Sequence, residues 1–234
     1  MAAQSPETAK QTHLHYLSQA LDLARLSPPK PTNFRVGCVI VACPTSTSAE
    51  ASQAHQAQGQ GRVLSTGYTL ELEGNTHAEQ CALSKLAAQH GTDEAHLHGL
   101  DVLSANRNVT LYTTLEPCGL RLSGNKPCVE RIIDIRKSGG GIGKVIFGAR
   151  EPGTFVKDSK SLMRLDEAGV PWEFVPDLQD EILKVAKEGH NKPASTEAQG
   201  QKAGLDDISA DERRRHEQLP RNPKKRMMEV DVPP

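Results

Sequence analysis

The chain has 234 residues, 36% hydrophobic and 3% aromatic, with a formal net charge of −1. That length suits one ordinary domain with a modest core and room for tails. The charge supplies no field to draw in nucleic acid or an anionic membrane, and no stretch is apolar for long enough to span a bilayer.

Residues 1–10 read as a polar tail without the apolar core of a secretory leader. With an odd count of five cysteines, this points to a reduced, cytoplasmic protein. Leu14, Leu17, Leu21 and Leu26 recur at roughly helical spacing over 11–26, and Pro28, Pro29 and Pro31 stop that helix. A β-branched strand follows over 35–42. Residues 43–61 contain no aliphatic larger than alanine and read as a Ser/Ala/Gln-rich insertion at a hairpin tip, with the partner strand over 62–69.

A helix over 76–90 sets Ala78, Ala82, Leu83 and Leu86 on its inner side. Then come a strand at 108–114, a helix at 127–137 closed by the glycines from Gly139, and a strand at 144–149. A helix at 161–168 capped by Gly169, a short strand at 172–175 and a last helix at 177–187 complete the series. The order αββαβαβαβα predicts an α/β domain over 11–190, a mixed sheet with helices packed on its faces.

All eight aromatic residues precede position 190. Residues 191–234 hold nine Lys/Arg and eight Asp/Glu, and are expected to form a disordered polar tail. The segment RNPKKR at 221–226 is either a nuclear-import signal or a solvated run of charge. Without the tail, 19 basic face 21 acidic residues.

The chemistry concentrates in two places. Asn75-Thr76-His77-Ala78-Glu79 opens the second helix, while Pro117-Cys118 ends a strand and Pro127-Cys128 opens the next helix. One histidine and two cysteines make a zinc triad with a fourth position open for water, the layout of a catalytic rather than a closed structural site. His77 and Cys128 fall at helix N-termini, where the helix dipole favours thiolate. Glu79, two residues after His77, can face the open position without ligating the metal. Against this stand plainer roles: a histidine with two buried thiols, and a first-turn helix acid. Cys38, Cys43 and Cys81 read as packing or bystander residues, and the remaining histidines lack ligand spacing.

H-x-E followed by paired P-C units resembles the signature of zinc deaminases, in which a non-ligand Glu is the acid/base. Here nine residues, rather than two, separate the cysteines. The segments 63–83, 111–132 and 147–158 closely resemble the fungal pyrimidine deaminases of riboflavin biosynthesis, over about residues 10–188. That resemblance implies a three-layer cytidine-deaminase-like fold with a five-stranded sheet and helices on both faces. It implies Zn2+ on His77, Cys118 and Cys128, and 2,5-diamino-6-ribitylamino-4(3H)-pyrimidinone 5′-phosphate as the substrate. Water would add at C2 of the ring, and Glu79 would carry the proton to the departing amine.

The resemblance also implies a homodimer and substrate contacts from Asn33, Asn75, Ala78, Arg121, Ser123 and Lys126. Arg121 and Lys126 lie in the loop between the cysteines, where charge-assisted donors would suit the phosphate. Plainer roles for these residues are a turn asparagine at 33, a helix cap at 75 and surface charge at 121 and 126. The competing functions are deamination of another nucleotide, such as deoxycytidylate, and a zinc-stabilised scaffold without activity. Nucleic-acid editing is disfavoured by the charge and the scarce aromatics.

Overall fold

The structure, a computed structural model, describes residues 6–43, 61–103, 108–137, 141–152 and 160–190. Five strands, β1 (Gly37–Ala42), β2 (Arg62–Tyr68), β3 (Val109–Leu115), β4 (Lys144–Ala149) and β5 (Trp172–Phe174), form one sheet in the order β2-β1-β3-β4-β5. The neighbours β1–β2 and β1–β3 are antiparallel, and β3–β4 and β4–β5 are parallel, so the sheet is mixed. The helices are α1 (Pro6–Leu26), α2 (Ala78–Gln89), α3 (Cys128–Lys137), α4 (Ser161–Glu167) and α5 (Gln179–Ala186).

Strand alternation divides the core between two faces. Cys38 and Ile40 of β1 and Leu111 of β3 point to one side, where α2, α3 and α4 bring Leu83, Leu86, Val129, Ile132 and Leu165. Val39 and Val41 of β1 and Tyr112 of β3 point to the other, where α1 brings Tyr16, Leu17 and Ala20. The α5 residues Ile182 and Val185 pack with Leu21 and Ala24 of α1 on that second side. The result is the three-layer α/β arrangement expected from the order of elements.

Two glycines set how closely helices approach the sheet. A Cβ on Gly67 of β2 would stand 2.3 Å from the Ala78 carbonyl oxygen and 2.5 Å from the Ala82 nitrogen, so α2 can lie this near only because the position has no side chain. A Cβ on Gly37 would meet the Ala20 carbonyl at 1.9 Å, which fixes α1 in the same way.

Several boundaries differ from the sequence reading. Helix α1 begins at Pro6, so residues 6–10 continue a helix instead of forming a tail. A 3-10 helix at Glu94–Gly99 and another at Asp101–Leu103 were not expected, and the helix expected over 177–187 opens as a 3-10 turn at Pro176–Leu178. They are too short to carry a hydrophobic period, although the Asp93 carboxylate caps the first by accepting from Ala95 N at 2.9 Å and His96 N at 3.2 Å. Of the expected insertion, positions 44–60 lie outside the described residues, as do Gly139 and the tail at 191–234. The ends of the insertion are held: Cys43 N donates to Asn108 O at 3.3 Å, and the Tyr16 hydroxyl donates to Gly61 O at 2.9 Å.

Candidate active site

β3 and β4 run parallel, and their carboxyl ends meet the start of β1 and the end of β2 at one edge of the sheet. In open α/β sheets this edge is where ligands bind. α2 and α3 both begin there, which brings together residues far apart in sequence. His77 immediately precedes α2 with extended backbone, Glu79 lies in the first turn of α2, and Cys128 is the first residue of α3. Cys118 follows three residues after the end of β3.

The donor atoms of His77, Cys118 and Cys128 all lie within 4.8 Å of one another. Cys118 Sγ is 3.4 Å from His77 Nδ1, and Cys128 Sγ is 3.6 Å from it. Tetrahedral zinc, with bonds of about 2.3 Å to sulfur and about 2.0–2.1 Å to nitrogen, sets such ligands roughly 3.5–3.6 Å apart. The residues therefore fit the ion in both chemistry and spacing. Among the described residues this is the one His/Cys/Asp/Glu group whose donors converge in this way.

The two thiols act as a pair. Hydrogen bonding with Cys128, outweighing burial and aided by His77, holds the Cys118 thiol well below its ordinary value. Its interaction with Cys118, together with burial, pushes the Cys128 thiol well up. Metal binding requires that the second proton leave as well. Cys38, Cys43 and Cys81 have their thiols raised chiefly by burial, as suits packing residues.

Glu79 is buried at 3% exposure. The Thr113 hydroxyl donates to its Oε1 at 3.1 Å, and the Cys128 thiol donates to its Oε2 at 3.3 Å. Burial first, and the nearby Cys118 second, raise its carboxyl above the ordinary value. A carboxylate that binds a proton more readily near neutral pH is better matched to shuttling one.

Above these groups lies a cavity of about 160 Å³, close to the roughly 150 Å³ that accepts one benzene ring. Asn33 and Asn75 line one part of it, Glu116 and Glu151 another, and Leu120–Ser123 its rim. Asn33 Nδ2 donates to Asn75 Oδ1 at 2.7 Å. The Asn33 segment is held from behind: Arg35 N donates to Ala186 O at 3.1 Å, Arg35 Nε donates to Ser27 O at 2.7 Å, and His190 Nε2 bonds Asn33 O at 2.9 Å.

Of the expected substrate contacts, Asn33, Asn75, Arg121 and Ser123 line the cavity. Ala78 does not; its side chain is fully buried in the core beneath α2. Lys126 does not either. It turns away to pair with Asp134 on α3, with 44% of its side chain exposed. Arg121 is buried at 6% exposure and donates to Gln80 Oε1 at 2.9 Å and to the Asn75 carbonyl. Its guanidinium therefore holds the wall of the pocket that it lines. The inter-cysteine loop brings this arginine back to Gln80 of α2.

Glu151 was missed from the sequence. The available signal was its place two residues beyond β4, at the same strand edge that carries Cys118. Burial, then Cys118, Glu116 and Glu79, push its carboxyl up to about 8.

A mixed sheet with a His/Cys/Cys metal site, an open pocket and a buried carboxyl group beside it defines a metal-dependent hydrolytic centre. The model of the cytidine and deoxycytidylate deaminase zinc-binding region matches residues 10–149. The chain belongs to this zinc-binding deaminase family. It is 33% identical over 178 residues to a diaminohydroxyphosphoribosylamino-pyrimidine deaminase of Schizosaccharomyces pombe, covering 76% of this chain and 36% of that protein's length.

Among solved structures, Aspergillus oryzae Rib2 deaminase in complex with DARIPP, a C-terminal deletion mutant, is 45% identical with a TM-score of 0.66. The match covers 77% of this chain and 92% of that one. A deaminase/reductase of Thermotoga maritima is 22% identical with a TM-score of 0.53, covering 76% of this chain and 40% of that one, and shares the fold.

Proposed function

We propose that the chain is a hydrolytic deaminase of 2,5-diamino-6-ribitylamino-4(3H)-pyrimidinone 5′-phosphate in riboflavin biosynthesis. The observation that carries this is the convergence of His77, Cys118, Cys128 and Glu79 beneath a pocket sized for one ring. The likeness to the S. pombe and A. oryzae deaminases supports the choice of substrate.

His77, Cys118 and Cys128 would hold zinc, whose Lewis acidity makes a water nucleophilic near neutral pH. Glu79 takes that water's proton. Its Oε1 stays on the Thr113 hydroxyl, which leaves Oε2 to carry the proton once Cys128 has lost its own. The water oxygen would add at C2 of the ring; of its two protons one would end on the ring nitrogen beside C2 and the other, carried by Glu79, on the amino nitrogen, so that ammonia leaves as the C2 carbonyl forms. Burial of Glu79 keeps bulk water from competing for this proton. The Asn33–Asn75 pair supplies amide donors and acceptors for the ring edges.

The test is ammonia release by the purified zinc-loaded protein from this substrate against deoxycytidylate. A preference for deoxycytidylate would sink the substrate assignment. Cytoplasmic residence, supported by the polar N-terminal segment and the odd count of five cysteines, and a homodimer, supported by the resemblance alone, remain part of the proposal. Sedimentation of the full chain as a monomer would overturn the dimer.

A further inference from the structure

The two cysteines that converge with His77 are joined by a nine-residue loop. Where only two residues separate the cysteines, as in the C-x-x-C spacing, the chain itself keeps the thiols together. A longer loop restrains its ends less, so here the thiols need ties from elsewhere. Two are local: Val129 N donates to Cys118 O at 3.2 Å, and Cys128 N donates to Cys118 Sγ at 3.4 Å.

A third comes from α4. Arg164 Nη1 donates to the Gly119 carbonyl at 2.7 Å, and Nη2 of the same guanidinium donates to Glu130 Oε1. Gly119 directly follows Cys118, and Glu130 lies two residues past Cys128 in the first turn of α3. One side chain thus spans the two segments that carry the thiols. Its planar fork fixes the direction of both bonds, which the single ammonium of a lysine does not.

The helix behind Arg164 is itself anchored. Leu165, the next residue, is fully buried in the same core cluster as Val129 and Ile132 of α3. The Ser161 hydroxyl donates to Glu116, two residues before Cys118. Arg164 does not line the pocket, so it meets no substrate. The side chains of Arg164 and Glu130 are 29% and 39% exposed, and as a surface pair they add little to the stability of the fold. What they fix is the distance between the two segments.

We propose that Arg164 is a positioning residue: by bridging Gly119 and Glu130 it holds Cys118 and Cys128 at the spacing zinc requires, and so tightens the hold on the ion. This rests on the reading of His77, Cys118 and Cys128 as the zinc ligands. Without the bridge the Gly119 end of the loop is free to move, and part of the binding energy goes into drawing the thiols together. Groups that orient metal ligands typically change metal affinity by about 10–100-fold. Arg164 acts one or two residues away from the sulfurs, which puts its effect at the low end, about tenfold.

The experiment measures the zinc affinity of the full-length chain by competition with a chromophoric chelator, and the rate at which zinc leaves. Both are read well below the melting temperature of every variant, and melting of the metal-free protein is recorded alongside. Arg164→Ala should bind zinc about tenfold more weakly and release it faster, with the metal-free melting temperature nearly unchanged. Arg164→Lys, which can keep one bond but not both, should fall between it and the wild type. Glu130→Ala should show part of the loss, and should add nothing to Arg164→Ala, whose bridge is already gone. Lys126→Ala, which removes the neighbouring Lys126–Asp134 pair from the same helix, should keep wild-type affinity.

Wild-type affinity and release rate in Arg164→Ala overturn the proposal. So does an equal loss in Lys126→Ala, or a Glu130→Ala loss that adds in full to that of Arg164→Ala. A loss that only follows a fall in the metal-free melting temperature overturns it too, because the role is then one of general stability. If Arg164→Ala does not fold, Arg164→Lys and Glu130→Ala decide by the same readouts. A wild-type chain without zinc affinity fails the ligand assignment itself, which differs visibly from a wild type and a variant that bind zinc alike.

Discussion

The base of the pocket and the loop from Gly119 to Pro127 adjoin each other, yet they are built on different principles. The base is made of residues at the first turns of two helices and just past one strand, all buried or nearly so. Each is placed by the edge of the sheet, and each has a role that its residue type already suggests. The loop mixes exposed and buried groups within a few residues: Leu120 and Leu122 face outward, Arg121 between them is buried, and Lys126 turns to solvent. Its residue types alone suggested a cationic phosphate cradle. The fold uses one of its two cations as an internal strut and the other as a surface ion pair. The metal-binding residues are set by the boundaries of regular elements, while the loop is irregular chain whose side chains point either way.

The sharpest break between the two regions is expected at the metal. Cys118→Ser or Cys128→Ser should lose both zinc and activity, because two remaining ligands hold the ion too weakly. Full zinc occupancy in either variant, by metal analysis, would remove that cysteine from the ligand set. Glu79→Gln comes next. It should fold and keep its zinc but lose about a hundred- to ten-thousand-fold in kcat, the usual loss for general acid/base help. Turnover near that of the wild type would mean another group moves the proton.

In the loop, Arg121→Ala should act through the wall it supports. It strips donors from Gln80 and the Asn75 carbonyl, at a cost of about 1–3 kcal/mol in stability. Affinity should fall alike for phosphorylated and dephosphorylated substrate. A loss confined to the phosphorylated form would restore the phosphate role and revise this account.

A smaller effect should appear in the pH dependence of the metal-free protein. Folding raises the Glu151 carboxyl from 4.5 to about 8. A carboxyl raised on folding contributes stability below the lower value, and that contribution is lost as pH climbs to the upper one. Wild-type protein should therefore lose more stability between pH 5 and pH 8 than Glu151→Gln does, by thermal melting. Parallel curves would show that the carboxyl ionises freely in the folded state. Least of all, Lys126→Ala should cost under about 1 kcal/mol and leave kcat/KM unchanged, since an exposed ion pair is weak. A tenfold loss in kcat/KM would bring Lys126 back toward the substrate.

The sequence by itself determined the order of elements, the mixed α/β class and the candidate metal centre. These depend on local rules: hydrophobic period, proline and glycine stops, and ligand residues placed at the starts of helices or the end of a strand. His77, Glu79, Cys118 and Cys128 could be read because each sits at a fixed offset from an element boundary.

Tertiary structure decided what no local rule reaches. The Asn33–Asn75 bond spans 42 positions and exists because two loops cross at one sheet edge. The Arg121 strut spans 41 positions back to Gln80, and nothing near Arg121 in sequence names that partner. Glu151 became part of the pocket only because β4 lies parallel to β3 and delivers its end beside Cys118. A side chain's direction and pairing are set by what the fold places within about 3 Å of it, and in irregular chain that information is held by the packed structure and not by the neighbouring residues.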